Sequence, residues 1–201
     1  MERLPLYRIA VGEDGEVTAV SLVKYPAVES DFILLSQEKE KEKMRTLRLS
    51  DEEKHRVLGC VLRADYPIYR RDEDGYEYNI VFGREAIESL AKGMFKKGTF
   101  GVNNAQHNDR EDLSDKLELM QMFIKDSKKG ISPEGFGDVE DGSLFAEYQV
   151  TDDGLWDDIK EGKMNGFSVE CVTRVERVDE DEEFILKAIG RLRNAVKNHK
   201  N

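Results

Sequence analysis

The chain has 201 residues, 39% apolar and 36% charged. That length fits one domain with tails, and the aromatic and β-branched content is too high for a chain disordered throughout. Thirty-one Lys and Arg against 42 Asp and Glu leave a formal charge of -11, which repels phosphate backbones and anionic lipid, so neither nucleic acid nor a membrane surface is an expected partner. No run approaches the ~20 apolar residues of a membrane-spanning helix, and Met1–Pro5 lacks the apolar core of a leader, so a cytosolic protein is expected. Cys60 and Cys171 make neither a disulfide framework nor a Cys-x-x-Cys pair, and both read as small half-buried thiols on strands.

In chain order, Leu6–Val11 and Val17–Val23 flank the turn-prone Glu13-Asp14-Gly15 and predict a β-hairpin. Pro26 ends the second strand, and Asp31–Leu35 is a short apolar run. Residues 37–54 alternate in charge with hardly any apolar anchor and read as a solvated linker. Val57–Leu62 is short and apolar, the pattern of a buried strand. Tyr66–Arg70 and Tyr76–Phe82 follow as β segments across a turn at 72–75. Residues 84–95 switch to helical spacing, with Ile87, Leu90, Ala91 and Met94 on one stripe. Strands are expected at Leu117–Ile124 and Ser143–Val150, separated by a loop rich in Lys, Asp and Gly over 125–142. A short helix over 155–162 has an Asp N-cap and a Gly stop. A strand over Gly166–Val175 and an amphipathic helix over 182–200 complete the chain. The expected divisions are an N-terminal hairpin segment (1–36), a charged linker (37–54), a core (55–178) and a C-terminal helix or tail (179–201). The element order predicts a mostly antiparallel α+β domain.

Metal hydrolysis has little support, since His55, His107 and His199 stand far apart and no His-Glu-x-x-His occurs. A phosphate loop and a Gly-x-Ser-x-Gly elbow are absent too. No cofactor is expected. His107 sits in the polar segment Val102–Asn108, and imidazole is the side chain whose ordinary titration lies nearest neutrality, which suits a general base. An exposed loop histidine would look the same. On an extended strand Ser168 and Glu170 share a face opposite Phe167, Val169 and Cys171. That pattern fits the floor of a site and equally fits a half-exposed strand.

Leu62–Arg70, Asn103–Asn108, Trp156–Gly162 and Asn165–Glu170 occur in the order seen in XkdF-like phage serine proteases, and Val20–Phe32 resembles the amino-terminal segment of that group. The chain therefore resembles, over about residues 15–175, the maturation proteases of tailed-phage proheads and, more distantly, the herpesvirus assemblins. The resemblance implies a herpesvirus-protease-like, β-barrel-like core with flanking helices, in which Ser168 is the nucleophile and His107 the base. Glu170 is the first choice for the third member, with Asp109, Glu118 and Glu147 as fallbacks, while His199 does not match the second histidine of the herpesvirus enzymes. Arg174 could contribute charge near the site, though an ordinary surface arginine is as consistent. Cys171 stands where many relatives carry glycine. The implied substrates are scaffold and capsid-protein segments and the protease's own ends, cut inside the immature head in the host cytoplasm, with the gene carried by a phage or prophage. The resemblance leaves a homodimer open, and the alternative is a catalytically silent head-assembly protein that keeps the fold.

Overall fold

The computed structural model describes residues 4–10, 15–25, 33–34, 54–71 and 74–178. The strands are β1 (Leu6–Ile9), β2 (Glu16–Val23), β3 (Ile33–Leu34), β4 (Arg56–Leu62), β5 (Ile68–Arg71) and β6 (Glu77–Val81). Helix α1 (Arg84–Lys97) comes next, then β7 (Asn103–Ala105), β8 (Asn108–Asp112), β9 (Leu117–Ile124) and β10 (Leu144–Val150). Helix α2 (Asp153–Lys160), β11 (Gly166–Val172) and β12 (Val175–Arg177) complete the described chain. The linker expected over 37–54, except Lys54, and the helix expected over 182–200 lie outside these residues.

The strands form three four-stranded sheets, ordered β12-β1-β6-β5, β3-β4-β10-β9 and β11-β2-β7-β8. Pairing is antiparallel except at β1–β6 and β2–β7. The fold is thus α+β, and among the described residues the sheets are open, with none closing on itself.

The N-terminal hairpin expected from 6–23 does not form. β1 lies between β12 and β6, and β2 lies between β11 and β7, so both edges of each strand are already occupied and the two sit in different sheets. The single strand expected over 166–175 also divides. β11 ends at Val172, and β12 crosses to pair with β1, anchored by the Ala10 N–H donating to the Arg174 carbonyl (2.9 Å). One continuous chain therefore joins the first and third sheets beside the candidate site.

Packing holds these sheets in register. Trp156, Tyr148, Phe145, Phe167, Leu22 and Met94 are buried in one apolar cluster. The rings of Tyr148 (β10) and Phe167 (β11) meet at 5.3 Å, so the back of the β11 sheet is seated on the β10 sheet. α1 buries the predicted stripe of Ile87, Leu90, Ala91 and Met94, together with Ala86, and ends at Gly98 (φ 73°), whose N–H donates to the Met94 carbonyl. A left-handed residue there favours glycine. α2 starts where the Asp152 side chain accepts from the Leu155 N–H (2.7 Å). The 125–142 loop is pinned by the buried Arg63–Glu140 pair (2.7 Å) and by Lys125, whose ammonium donates to the carbonyls of Phe136 and Val139.

Candidate functional site

The polar segment expected after α1 is a β-hairpin, β7 to β8. Ala105 pairs with Asn108 across the two-residue turn Gln106-His107, and both turn residues have positive φ (54° and 59°). Two positive φ values mark the turn that matches strand twist, which favours Asn-Gly. A side chain with a Cβ in the left-handed region costs about 1–2 kcal/mol per residue, although histidine tolerates it better than most. The turn is fastened to β2: the Gln106 N–H donates to the Leu22 carbonyl (2.9 Å), and its Oε1 accepts from the Lys24 N–H (3.3 Å). Left-handed backbone and these two hydrogen bonds hold His107 over the sheet.

Beneath it runs a cross-strand row. Ser168 of β11 pairs with Ser21 of β2, and Ser21 pairs with Asn104 of β7. One residue on, Phe167, Leu22 and Ala105 form the matching row, and all three are buried in the core. Strand alternation thus puts an apolar row on the core and a polar row on the opposite face.

Glu170, two residues from Ser168, gathers three donors on one oxygen. Its Oε1 accepts from Asn104 Nδ2 (2.8 Å) and Ser21 Oγ (3.1 Å) and lies 3.2 Å from His107 Nδ1. The Asn104 amide, and then His107 and Ser21, hold its carboxyl below the usual range against the opposing effect of burial. Glu170 is therefore ionised at neutral pH and can only accept, so the ring nitrogen beside it carries the imidazole proton. Ser21 Oγ, 3.0 Å from the same Nδ1, gives its own proton to Glu170 and accepts from the ring. In neutral imidazole this leaves Nε2 as the basic nitrogen, and Nε2 makes no hydrogen bond to a described residue. Asn104 Oδ1 is buried without a partner, a cost of about 1–3 kcal/mol that the fold tolerates beside the carboxylate.

Ser168, His107, Gln106 and Glu170 line a cleft of about 770 Å³, faced on the other side by Ile9, Arg70, Tyr78 and Ile80 of the β12-β1-β6-β5 sheet. Ser168 is 6% exposed and reaches this cleft, whereas Ser21 is 0% exposed and does not line it. No hydrogen bond joins Ser168 to His107 among the described residues; the hydroxyl that His107 contacts is that of Ser21.

The fold brings Ser168, His107 and Glu170 to one face and keeps two fallbacks away. Glu118 lies on β9 and Glu147 on β10, in another sheet, where Glu147 meets Gln121 (2.5 Å) and Arg56 (3.5 Å). Asp109 on β8 lines a smaller cavity of about 400 Å³ on the other side of Glu170 and Asn104. Arg174 sits at the β11–β12 crossing, and His199 lies outside the described residues. Sequence reasoning overlooked Ser21 and Asn104. A signal existed for the first, because Ser21 is the one polar residue between Ala19 and Val23. None existed for the second, because Asn-Asn after a helix reads as loop.

The chain matches no family model, no curated protein and no solved structure. Among the described residues no helix is long and apolar enough to cross a membrane.

Proposed function

We propose that the chain is a serine endopeptidase of prohead maturation, with Ser168 as nucleophile, His107 as general base and Glu170 as the residue that orients the imidazole. One observation carries this reading: Ser168 and His107 line a single cleft while the carboxylate of Glu170 sits at His107 Nδ1. A serine nucleophile needs a base to take its proton and an acceptor behind that base to fix its tautomer. Ser168 Oγ attacks the peptide carbonyl carbon as its proton moves to His107 Nε2. The tetrahedral oxyanion collapses, and the leaving amine takes that proton from Nε2. Water, deprotonated by the same nitrogen, then hydrolyses the acyl-serine ester and regenerates Ser168. The absence of a Ser168–His107 hydrogen bond in a substrate-free site is compatible with this, since such bonds often tighten only on substrate binding.

The same reading includes a fold of the herpesvirus-protease kind, scaffold and capsid-protein segments as substrates, and a place of action inside the immature phage head. Coexpression with scaffold and capsid protein tests it: the wild-type chain trims them and its own ends, and Ser168→Ala abolishes both. Unchanged trimming by that variant overturns it.

A second reading is a catalytically silent head-assembly protein retaining this fold. The observation favouring it is that the hydroxyl bonded to His107 belongs to the wholly buried Ser21 and not to the cleft serine. Incorporation into heads with no trimming by the wild-type chain is the result it requires.

A further inference from the structure

The wall of the cleft opposite β11 carries an arginine with no acidic partner among the described residues. Arg70 on β5 lines the cleft, and its Nη1 donates to the carbonyl of the adjacent Tyr69 (3.0 Å). Among the described residues no Asp or Glu pairs with Arg70. A guanidinium offers five N–H donors in a planar fork that fits a carboxylate. Partial burial is the dominant influence on it and disfavours its charged form. An incoming anion would therefore meet a cation that water screens poorly.

The facing wall is the edge of a sheet. Four consecutive residues of β11, Ser168, Val169, Glu170 and Cys171, line the cleft. Successive side chains on a strand point to opposite faces, so a cavity touching all four runs along the strand's edge. β11 is the terminal strand of its sheet among the described residues, with β2 on one side only. A terminal strand presents unpaired N–H and C=O groups on which an extended peptide can add a strand.

We propose that the cleft takes an extended peptide laid along β11, and that Arg70 selects a peptide carboxylate, an acidic side chain or the C-terminus itself. This rests on the peptidase reading for turnover but not for binding. Seated against β11, such a peptide passes Ser168 while its carboxylate engages the guanidinium across the cleft. Arg70 is a specificity residue and takes no part in the proton transfers.

The probe is a set of synthetic decapeptides of one Gly/Ser/Leu frame carrying Glu, Gln or Lys at each position in turn, each made with a free and an amidated C-terminus. Binding is read by fluorescence anisotropy on the full-length Ser168→Ala chain, and cleavage by mass spectrometry on the active chain. Glu peptides, or free-acid peptides if the terminus is the ligand, are expected to bind about 10- to 100-fold more tightly than their Gln or amidated counterparts, the scale of a charge-assisted bidentate contact. Arg70→Gln erases that preference and leaves the neutral peptides unchanged. Arg70→Glu transfers it to the Lys peptides, a gain that misfolding cannot produce. Equal binding of Glu, Gln and Lys peptides together with equal binding of free-acid and amidated peptides, the same preference in all three chains, or no binding of any peptide overturns the proposal. Charge-selective binding without cleavage by the active chain supports it and contradicts the peptidase reading. Cleavage without charge selectivity does the reverse.

Discussion

At the scale of single residues the site is organised around one carboxylate oxygen. Asn104, Ser21 and His107 all address Glu170 Oε1 at 2.8–3.2 Å, which keeps the carboxyl ionised and fixes which imidazole nitrogen is basic. The folded-state pKa of Glu170 is depressed, so its contribution to stability is fully present above the unfolded carboxylate value, about 4.3, and is lost as pH falls through the lower folded value. In a His107→Gly background, which leaves no imidazole beside the carboxylate, Glu170→Gln and its parent should thus differ by a constant amount in urea midpoint between pH 5 and 7 and converge as the solution is acidified below pH 4. A difference that already changes between pH 7 and 5 would refute the depressed pKa. Asn104→Ala removes the first of the three donors, and in a carboxyl-carbon NMR titration Glu170 should move up towards the ordinary range. Burial on β4 pushes the Cys60 thiol up to about 12, so iodoacetamide at pH 8 should leave it unmodified in the folded chain, as peptide mass mapping would read.

At the scale of elements the decisive piece is the β7–β8 hairpin, whose Gln106-His107 turn pays in backbone strain for the position of the imidazole. Replacing His107 with Gly relieves about 1–2 kcal/mol of left-handed strain and gives up partly exposed contacts worth about 0–1 kcal/mol. The variant should therefore unfold at an equal or higher urea concentration while losing the proposed peptidase activity. An unfolding free energy lowered by more than about 1 kcal/mol would instead make His107 a stability residue. This hairpin was also the least legible part of the chain. Strands β4, β9 and β10 and helix α1 announce themselves through apolar runs or a 3.6-residue stripe, and they form within a residue or two of where that periodicity puts them. Strand β8, Asn-Asp-Arg-Glu-Asp, has no apolar residue at all, being an edge strand exposed over most of its length. Its pairing is dictated by β7, which local pattern does not encode. The N-terminal strands failed for a related reason: a turn-like Glu-Asp-Gly suggests a hairpin, but both flanking strands are apolar enough to be taken as central strands of two separate sheets.

At the scale of the whole molecule, the candidate site exists only when distant parts of the chain meet, since Ser21, Asn104, His107 and Ser168 come from three strands and a turn. The apolar rows behind them, Phe167 on Tyr148 and the cluster around Trp156, fix that meeting. Trp156→Ala should lower stability by about 3–5 kcal/mol, as circular dichroism in urea would measure, and the site should be lost in the same transition. Sequence alone could pair Ser168 with Glu170, two apart on one strand. It could not place His107 beside them, because that contact depends on sheet order. Folding also decides which of two neighbouring serines is reachable, and one labelling experiment tests that most directly. A fluorophosphonate probe, whose fluoride is displaced from phosphorus by an activated hydroxyl, should form one adduct, mapped to Ser168, in the native chain. The adduct should persist in Ser21→Ala and vanish in His107→Gly and in urea. Labelling at Ser21, or no serine adduct in the native wild-type chain, would contradict the assignment of Ser168 as the nucleophile.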